Sequence, residues 1–285
     1  NIQMVVAQGP FTTHMPLNHR RYPYGIKEVR HAISWALDRK EIIEVGFEGY
    51  AEEPLLGFLS PLYAKYANFD LTWPGKGMSK ADRLKKANAI LDGLGFKMGS
   101  DGVRVTDQGN KMTMRLLQPN WPSFVRTAEI MAENLKEIGI AAKVQSADPN
   151  TTYGTIYHKE GIDKWEALGP HNSTVKGLEY MSKEWGPEVK QLWYNANAVA
   201  WSNSEAKGMF TKLRSEMDEA KKIALVKKAQ AAFAEDMPSV ILCHKNLLFA
   251  YRTDEFTGWN EAMVLYGNFY YPAASLLTLT ALYAK

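Results

Sequence analysis

Residues 79–145 constrain the fold more than any other stretch, because their hydrophobic period changes in a fixed order. In SKADRLKKANAILDGLGF the apolar positions Leu84, Ala87, Ile90, Leu91 and Leu94 share one helical face, with Ser79 placed as an N-cap and Gly95 at the stop. GSDGVRVTDQGNKMTMRLL then alternates, and SDG and DQGN supply residues that tolerate positive φ, so this segment reads as a short hairpin. SFVRTAEIMAENLKEIG returns to helical spacing through Ala128, Met131, Leu135 and Ile138, and Gly139 closes it before the strand IAAKVQ. A strand, a helix and a second strand in succession predict a right-handed crossover, and with it an α/β architecture.

On either side the same reading continues. An opening strand is followed by a Pro- and Arg-containing turn, and a helix begins at Lys27 with Val29, Ile33, Ala36, Leu37 and Ile43 on one face. Residues 51–77 form a long loop. Residues 150–158 read as a short helix, 164–169 as a buried strand, 170–174 as the loop after it, and 176–185 as helical. An irregular stretch rich in Asn and Trp (186–203) precedes two helices, 204–217 and 219–235. Pro238 then leads into the strands SVILCHK and LLFAYR.

The helix–hairpin–helix–strand unit resembles, element for element, the second lobe of the extracytoplasmic solute-binding proteins of the dipeptide/oligopeptide-binding type (family 5), which feed ABC importers. VRHAISWALDRKEII (29–43) is similar to the helix by which such proteins enter that lobe, and 212–259 is similar to their exit. The resemblance implies the second lobe of a two-lobed, periplasmic-binding-protein-like (type II) fold. In that division residues 1–25 are a crossover segment of the first lobe, 26–237 the second lobe, and 238–285 a return segment. It also implies a binding protein instead of an enzyme, with no cofactor and no bound metal. Its partners would be the transmembrane subunits of an ABC permease and an N-terminal lobe ahead of Asn1, and its place the periplasm or a lipid-anchored position on the outer face of the membrane.

Composition agrees with a globular, non-nucleic-acid-binding chain. At 285 residues with 46% hydrophobic content it can bury a core, and 34 basic against 31 acidic residues leave no dominant field to attract nucleic acid. Cys243 is the single cysteine and lies in an apolar run, where a buried small hydrophobe is the simplest reading. Residues 262–284 carry no charge, but Gly267, Asn268 and Pro272 interrupt them. They read as an apolar segment packed on the first lobe, with a strand and helix in this chain's own core as the other reading.

Catalytic motifs are missing: the six histidines have no metal-ligand spacing, and neither a nucleophile elbow nor a phosphate loop occurs. Binding is better represented. Trp121 follows TMRLLQ, and ligands of open α/β sheets sit beyond the carboxyl ends of the strands. In peptide-binding members of the family, the strand matching WEALG, which includes Trp165, is followed by a loop bearing an aspartate that pairs with the peptide's α-amino group. Here that loop holds Pro170, His171, Asn172, Ser173 and Thr174, which offer hydrogen bonds without a fixed charge. Trp193, Asn195, Asn197 and Trp201 add indoles and carboxamides suited to sugar faces and hydroxyls. Oligopeptide and small oligosaccharide both stand as ligands on this reading. A hydrolase acting on the same ligands, and a chaperone-like binder using the apolar tail, are the alternatives from other classes.

Overall fold

The computed structural model describes residues 1–157, 164–174, 199–259 and 283–284. In chain order these form β1 (Ile2–Ala7), β2 (Phe11–Pro16), α1 (Lys27–Ala36), α2 (Arg39–Glu41) running into a π-helical turn (Ile42–Gly46), and β3 (Ala51–Glu52). Next come α3 (Lys80–Gly93), β4 (Lys97–Met98), β5 (Arg104–Val105), β6 (Thr113–Pro119), α4 (Pro122–Lys136), β7 (Ala141–Ala147) and α5 (Pro149–Tyr157). After them stand β8 (Ala167–Leu168), β9 (His171–Thr174), α6 (Ser204–Ser215), α7 (Glu219–Asp236), β10 (Ser239–Lys245), β11 (Leu247–Arg252), β12 (Phe256–Thr257) and β13 (Tyr283–Ala284).

The helix starts are written in short polar side chains. Ser79 Oγ accepts from the Asp82 N–H (3.1 Å) and donates to the Asp82 carboxylate (2.7 Å), which fixes the first turn of α3. Asn203 and Asp218 cap α6 and α7 in the same way. Gly95, Gly102, Gly109 and Gly139 all take positive φ, so each turn falls where the sequence supplied a residue able to make it. Arg104 locks this unit together. Its buried guanidinium donates to Ile138 O, Phe96 O, Asn88 Oδ1 and Asp92 Oδ1, and so ties β5 to both flanking helices.

Two sheets make the frame. β6 pairs in parallel with β7 from Thr113↔Ala141 to Pro119↔Ala147 and with β8 at Leu116↔Ala167 and Leu117↔Leu168, so β6 is central. α4 packs on this sheet through Ala128, Met131 and Leu135, all fully buried. The second sheet is antiparallel in the order β3-β10-β2-β9, and the bridge Leu17↔Ala167 connects it to the first. Six of the seven residues of β10 are buried, Cys243 among them, and desolvation pushes its thiol up to about 12. A third, two-stranded ribbon pairs β1 with β11, and Ile2, Met4, Val6 and Leu248 lie exposed along one of its faces.

Four local expectations change. The helix read from Lys27 through Ile43 stops at Ala36, where Leu37 is extended, and the chain restarts as α2 at Arg39 behind the Asp38 cap. The hairpin ladder runs from β5 to β4, and the residues just ahead of β6 meet β5 through the bridge Val105↔Lys111 and the Met112 N–H to Arg104 O bond (2.8 Å). β6 takes β7 and β8 as its partners instead, because burying Met114 and Leu116 outweighs continuing a short turn. The strand read at 164–169 narrows to Ala167–Leu168. The loop read at 170–174 is strand β9 from His171 onward, held by β2 in the register Phe11↔Thr174 to His14↔His171. The helix read at 176–185 and the uncharged run at 262–284, apart from Tyr283–Ala284, lie outside the described residues.

Candidate functional site

The parallel strands β6, β7 and β8 end together, and the turns beyond their carboxyl ends define the candidate site. After β6 the Asn120 N–H donates to Ala147 O (2.8 Å), and Trp121 becomes the N-cap residue of α4, with Pro122 in its first turn. Beyond β7, Asp148 receives the Thr151 N–H (3.1 Å) and hydroxyl; those bonds hold its carboxyl below the usual range and open α5. From β8 the Gly169 N–H reaches back to Leu117 O (2.7 Å) before the chain turns into β9. Two helix starts and one strand start therefore surround the carboxyl edge of the sheet, where open α/β sheets place their ligands.

Aromatic rings line this edge in a connected file. Trp121 is 41% exposed, meets Phe124 edge-on at 5.0 Å, and faces Tyr153 at 6.5 Å. Tyr153 meets His171 at 6.1 Å, and His171 meets His14 at 5.4 Å, which carries the file from the surface into the antiparallel sheet. Desolvation holds the His171 imidazolium pKa down to about 4, so the ring is neutral near pH 7.

Charge in the amino half of the parallel sheet, level with Arg115, is already paired. Glu166 takes a two-pronged contact from Arg115 (2.8 and 2.6 Å), the Arg115 N–H (2.9 Å) and a further bond from Arg21. Burial opposes ionisation of Glu166, but these bonds together prevail and hold its pKa below the usual range. Gln118, one residue before the end of β6, differs: it is 1% exposed, and neither its carboxamide oxygen nor its nitrogen has a hydrogen-bond partner.

The residues singled out from sequence fall into distinct places. Trp121 stands at the mouth. His171, Asn172 and Ser173 sit on β9, not on a loop. Thr13 Oγ1 donates to Asn172 Oδ1 (2.7 Å), and Ser173 Oγ bonds His14 Nε2 (2.8 Å), so both side chains also brace β2. Trp165 is fully buried two residues ahead of β8, toward the amino end of that strand, its indole N–H unpaired. Trp201 is buried against Phe233 (5.9 Å) and donates to Asp236, at the α7 side of the core. Trp193, Asn195 and Asn197 lie outside the described residues. Sequence reasoning missed Tyr153 and Gln118. Gln118 had a signal: it follows Met114 and Leu116 at the same pleat parity, a polar residue in an inward position. Elsewhere, a surface hollow of about 360 Å³ between α6 and α7 is lined by residues of that helical hairpin, including Lys212, Lys221, Leu225 and Lys228.

Comparison with known proteins defines the class. The middle region of the bacterial extracellular solute-binding proteins, family 5, matches residues 1–168, and the chain belongs to that family. Among curated relatives, the glutathione-binding protein GsiB of Escherichia coli K12 is 22% identical over 259 residues, 88% of this chain and 46% of its own length. Among solved structures, the oligopeptide-binding protein AppA of Bacillus subtilis in complex with a nonapeptide superposes with a TM-score of 0.82 at 22% identity, covering 100% of this chain and 53% of that one. A periplasmic oligopeptide-binding protein of Thermotoga maritima bound to mannohexaose gives 0.81 at 20% identity, with 99% and 53% covered. The fold is thus that of the periplasmic oligopeptide-binding proteins, and the chain spans about half the length of the proteins it matches.

Proposed function

We propose that this chain is the second lobe, with its crossover segments, of a solute-binding component of an ABC importer. It captures an oligopeptide or small oligosaccharide between two lobes and delivers it to the membrane permease. The observation that carries the reading is the shared carboxyl edge of β6, β7 and β8, where an exposed Trp121 and neutral hydrogen-bonding groups stand together in a family of extracellular solute-binding proteins. The pairing of β1 with β11 supports assigning residues 1–25 and 238–285 to the connections with a first lobe, and 26–237 to the second. The protein works outside the cytoplasmic membrane, in the periplasm or lipid-anchored at the membrane's outer face, where the family's solutes arrive.

Mechanistically, a two-lobed clamp closes because solute binds the closed state more tightly, and a preference of about 5.5 kcal/mol shifts it from nearly all open to nearly all closed. One lobe has half of the contacts and cannot develop that preference. The test is calorimetric titration of the full-length protein, and of residues 1–285 alone, with defined peptides and with mannohexaose. Tight binding by the full-length protein together with weak or undetectable binding by the lobe is the expected pattern. Equal affinity in both would overturn the clamp. Turnover of a bound solute would overturn the assignment as a non-enzymatic binding protein.

A further inference from the structure

We propose that Gln118 is a specificity-determining residue of the strand-end site: its carboxamide hydrogen-bonds an uncharged amide or hydroxyl group of the bound solute. This rests on the solute-binding reading above and names the chemistry that one position selects.

Gln118 leaves its side-chain hydrogen bonds unmade. A buried carboxamide without partners is costly, and native structures satisfy nearly all such groups. The other deeply buried carboxamides among the described residues obey that rule. Asn134 Oδ1 accepts from the Asp38 N–H (2.7 Å). Gln230 accepts from the Asn68 N–H (3.0 Å) and donates to Tyr66 O (2.7 Å) and Val226 O (3.2 Å). Asn18 donates to Trp165 O (3.1 Å) and accepts from the Arg20 N–H (3.2 Å). Gln118 alone among these four makes no side-chain bond, and it alone lies at the carboxyl end of the central parallel strand.

Its setting is also built to hold it there. Because Leu117 pairs with Leu168, Gln118 stands beside Gly169, and a Cβ on that glycine would come within 2.2 Å of Gln118 Oε1. Only the absence of a side chain at 169 lets the carboxamide lie across the end of β8. The Gln118 backbone is held separately, its carbonyl accepting from Thr152 Oγ1 (3.2 Å).

The chemistry then selects the partner. A carboxamide offers donor and acceptor together without charge, which matches a peptide group or a sugar hydroxyl; a carboxylate would meet the acceptor oxygen as well as the amide hydrogens. The desolvation of Gln118 is already borne in the free protein, so a solute group that reaches it gains a bond without stripping water from this side.

The experiment uses the full-length protein, titrated calorimetrically with tetra-alanine and with mannohexaose. Gln118→Met keeps the volume and removes the hydrogen-bonding groups. The expected result is affinity for the probe that binds the wild type lowered roughly tenfold to a hundredfold, with Tm unchanged or raised. Gln230→Met, the control, lowers Tm and leaves affinity as it was. Gly169→Ala, which displaces the carboxamide without removing it, is expected to weaken binding as well, and it decides the matter if Gln118→Met does not fold. Wild-type affinity in Gln118→Met or, in its place, in Gly169→Ala would overturn the proposal and leave Gln118 bonded only to an internal water. Failure of the wild type to bind either probe would overturn the solute-binding reading and this inference together.

Discussion

In the antiparallel sheet the ring nitrogens of His14 bond Ser239 Oγ (2.6 Å) and Ser173 Oγ (2.8 Å), while His244 takes the Leu55 N–H on Nε2 (3.0 Å) and meets Thr12 Oγ1 through Nδ1 (3.3 Å). At the carboxyl edge of the parallel sheet, by contrast, Gln118 is buried without a side-chain bond and Trp121 is exposed. Both regions are polar, yet one has spent its hydrogen bonds on holding strands together and the other has kept some back. The contrast separates polar residues that maintain the fold from polar residues placed to meet something else.

Acid should act most strongly on the first of these regions. Burial holds His244, His19 and His171 down to about 4 and His14 well below its ordinary value. Their folded-state pKa values lie below the unfolded value near 6.5, so the unfolded chain binds more protons between the two. Stability is then complete above about pH 6.5 and falls as pH drops toward 4. His244, 1% exposed, contributes about 3 kcal/mol of that loss once pH is well below 4. Thermal melts between pH 7.5 and 4.5 should show a steady drop in Tm, with a shallower slope in His244→Gln. A flat profile would show that these rings do not carry the sheet.

Arg39→Met should act on the same region with a similar magnitude. The Arg39 guanidinium donates to Ile241 O (3.0 Å), Ser34 O (2.7 Å) and Ser34 Oγ (2.8 Å) and lies over the Trp73 ring at 5.3 Å. Its removal leaves those acceptors buried and unpaired, for a loss of about 3 kcal/mol in chemical denaturation. His14→Phe keeps a ring against Phe58 but removes the hydrogen bonds of both ring nitrogens, for about 2 kcal/mol. Trp121→Ala probes the other region: stability should change by less than about 1 kcal/mol, while solute affinity in the full-length protein falls at least tenfold. A large stability loss with unchanged affinity would move Trp121 to the structural class.

The parallel unit was legible because its signals are local. Caps, positive-φ glycines and the spacing of Ala128, Met131, Leu135 and Ile138 all lie within one contiguous stretch and give β6, α4 and β7 in order. β9 was not legible, since HNST has neither alternation nor β-branched bulk at most positions. Its strand state comes from β2, more than 150 residues earlier, and no local rule reports that pairing. The tryptophans divide for a similar reason. Trp121 is exposed because a strand ends beside it, whereas Trp201 is sealed by Phe233 and Asp236 from a distant helix, and Trp165 is buried just ahead of β8.

Hydrogen exchange on the full-length protein with and without a bound peptide or oligosaccharide tests the placement of the site most directly. Slowed exchange should concentrate at residues 118–123, 147–152 and 169–171, with Ser239–Lys245 unchanged because its amides are already protected in the β2–β10 ladder. Protection confined to the α6–α7 hairpin or to the β1–β11 ribbon would contradict the strand-end site.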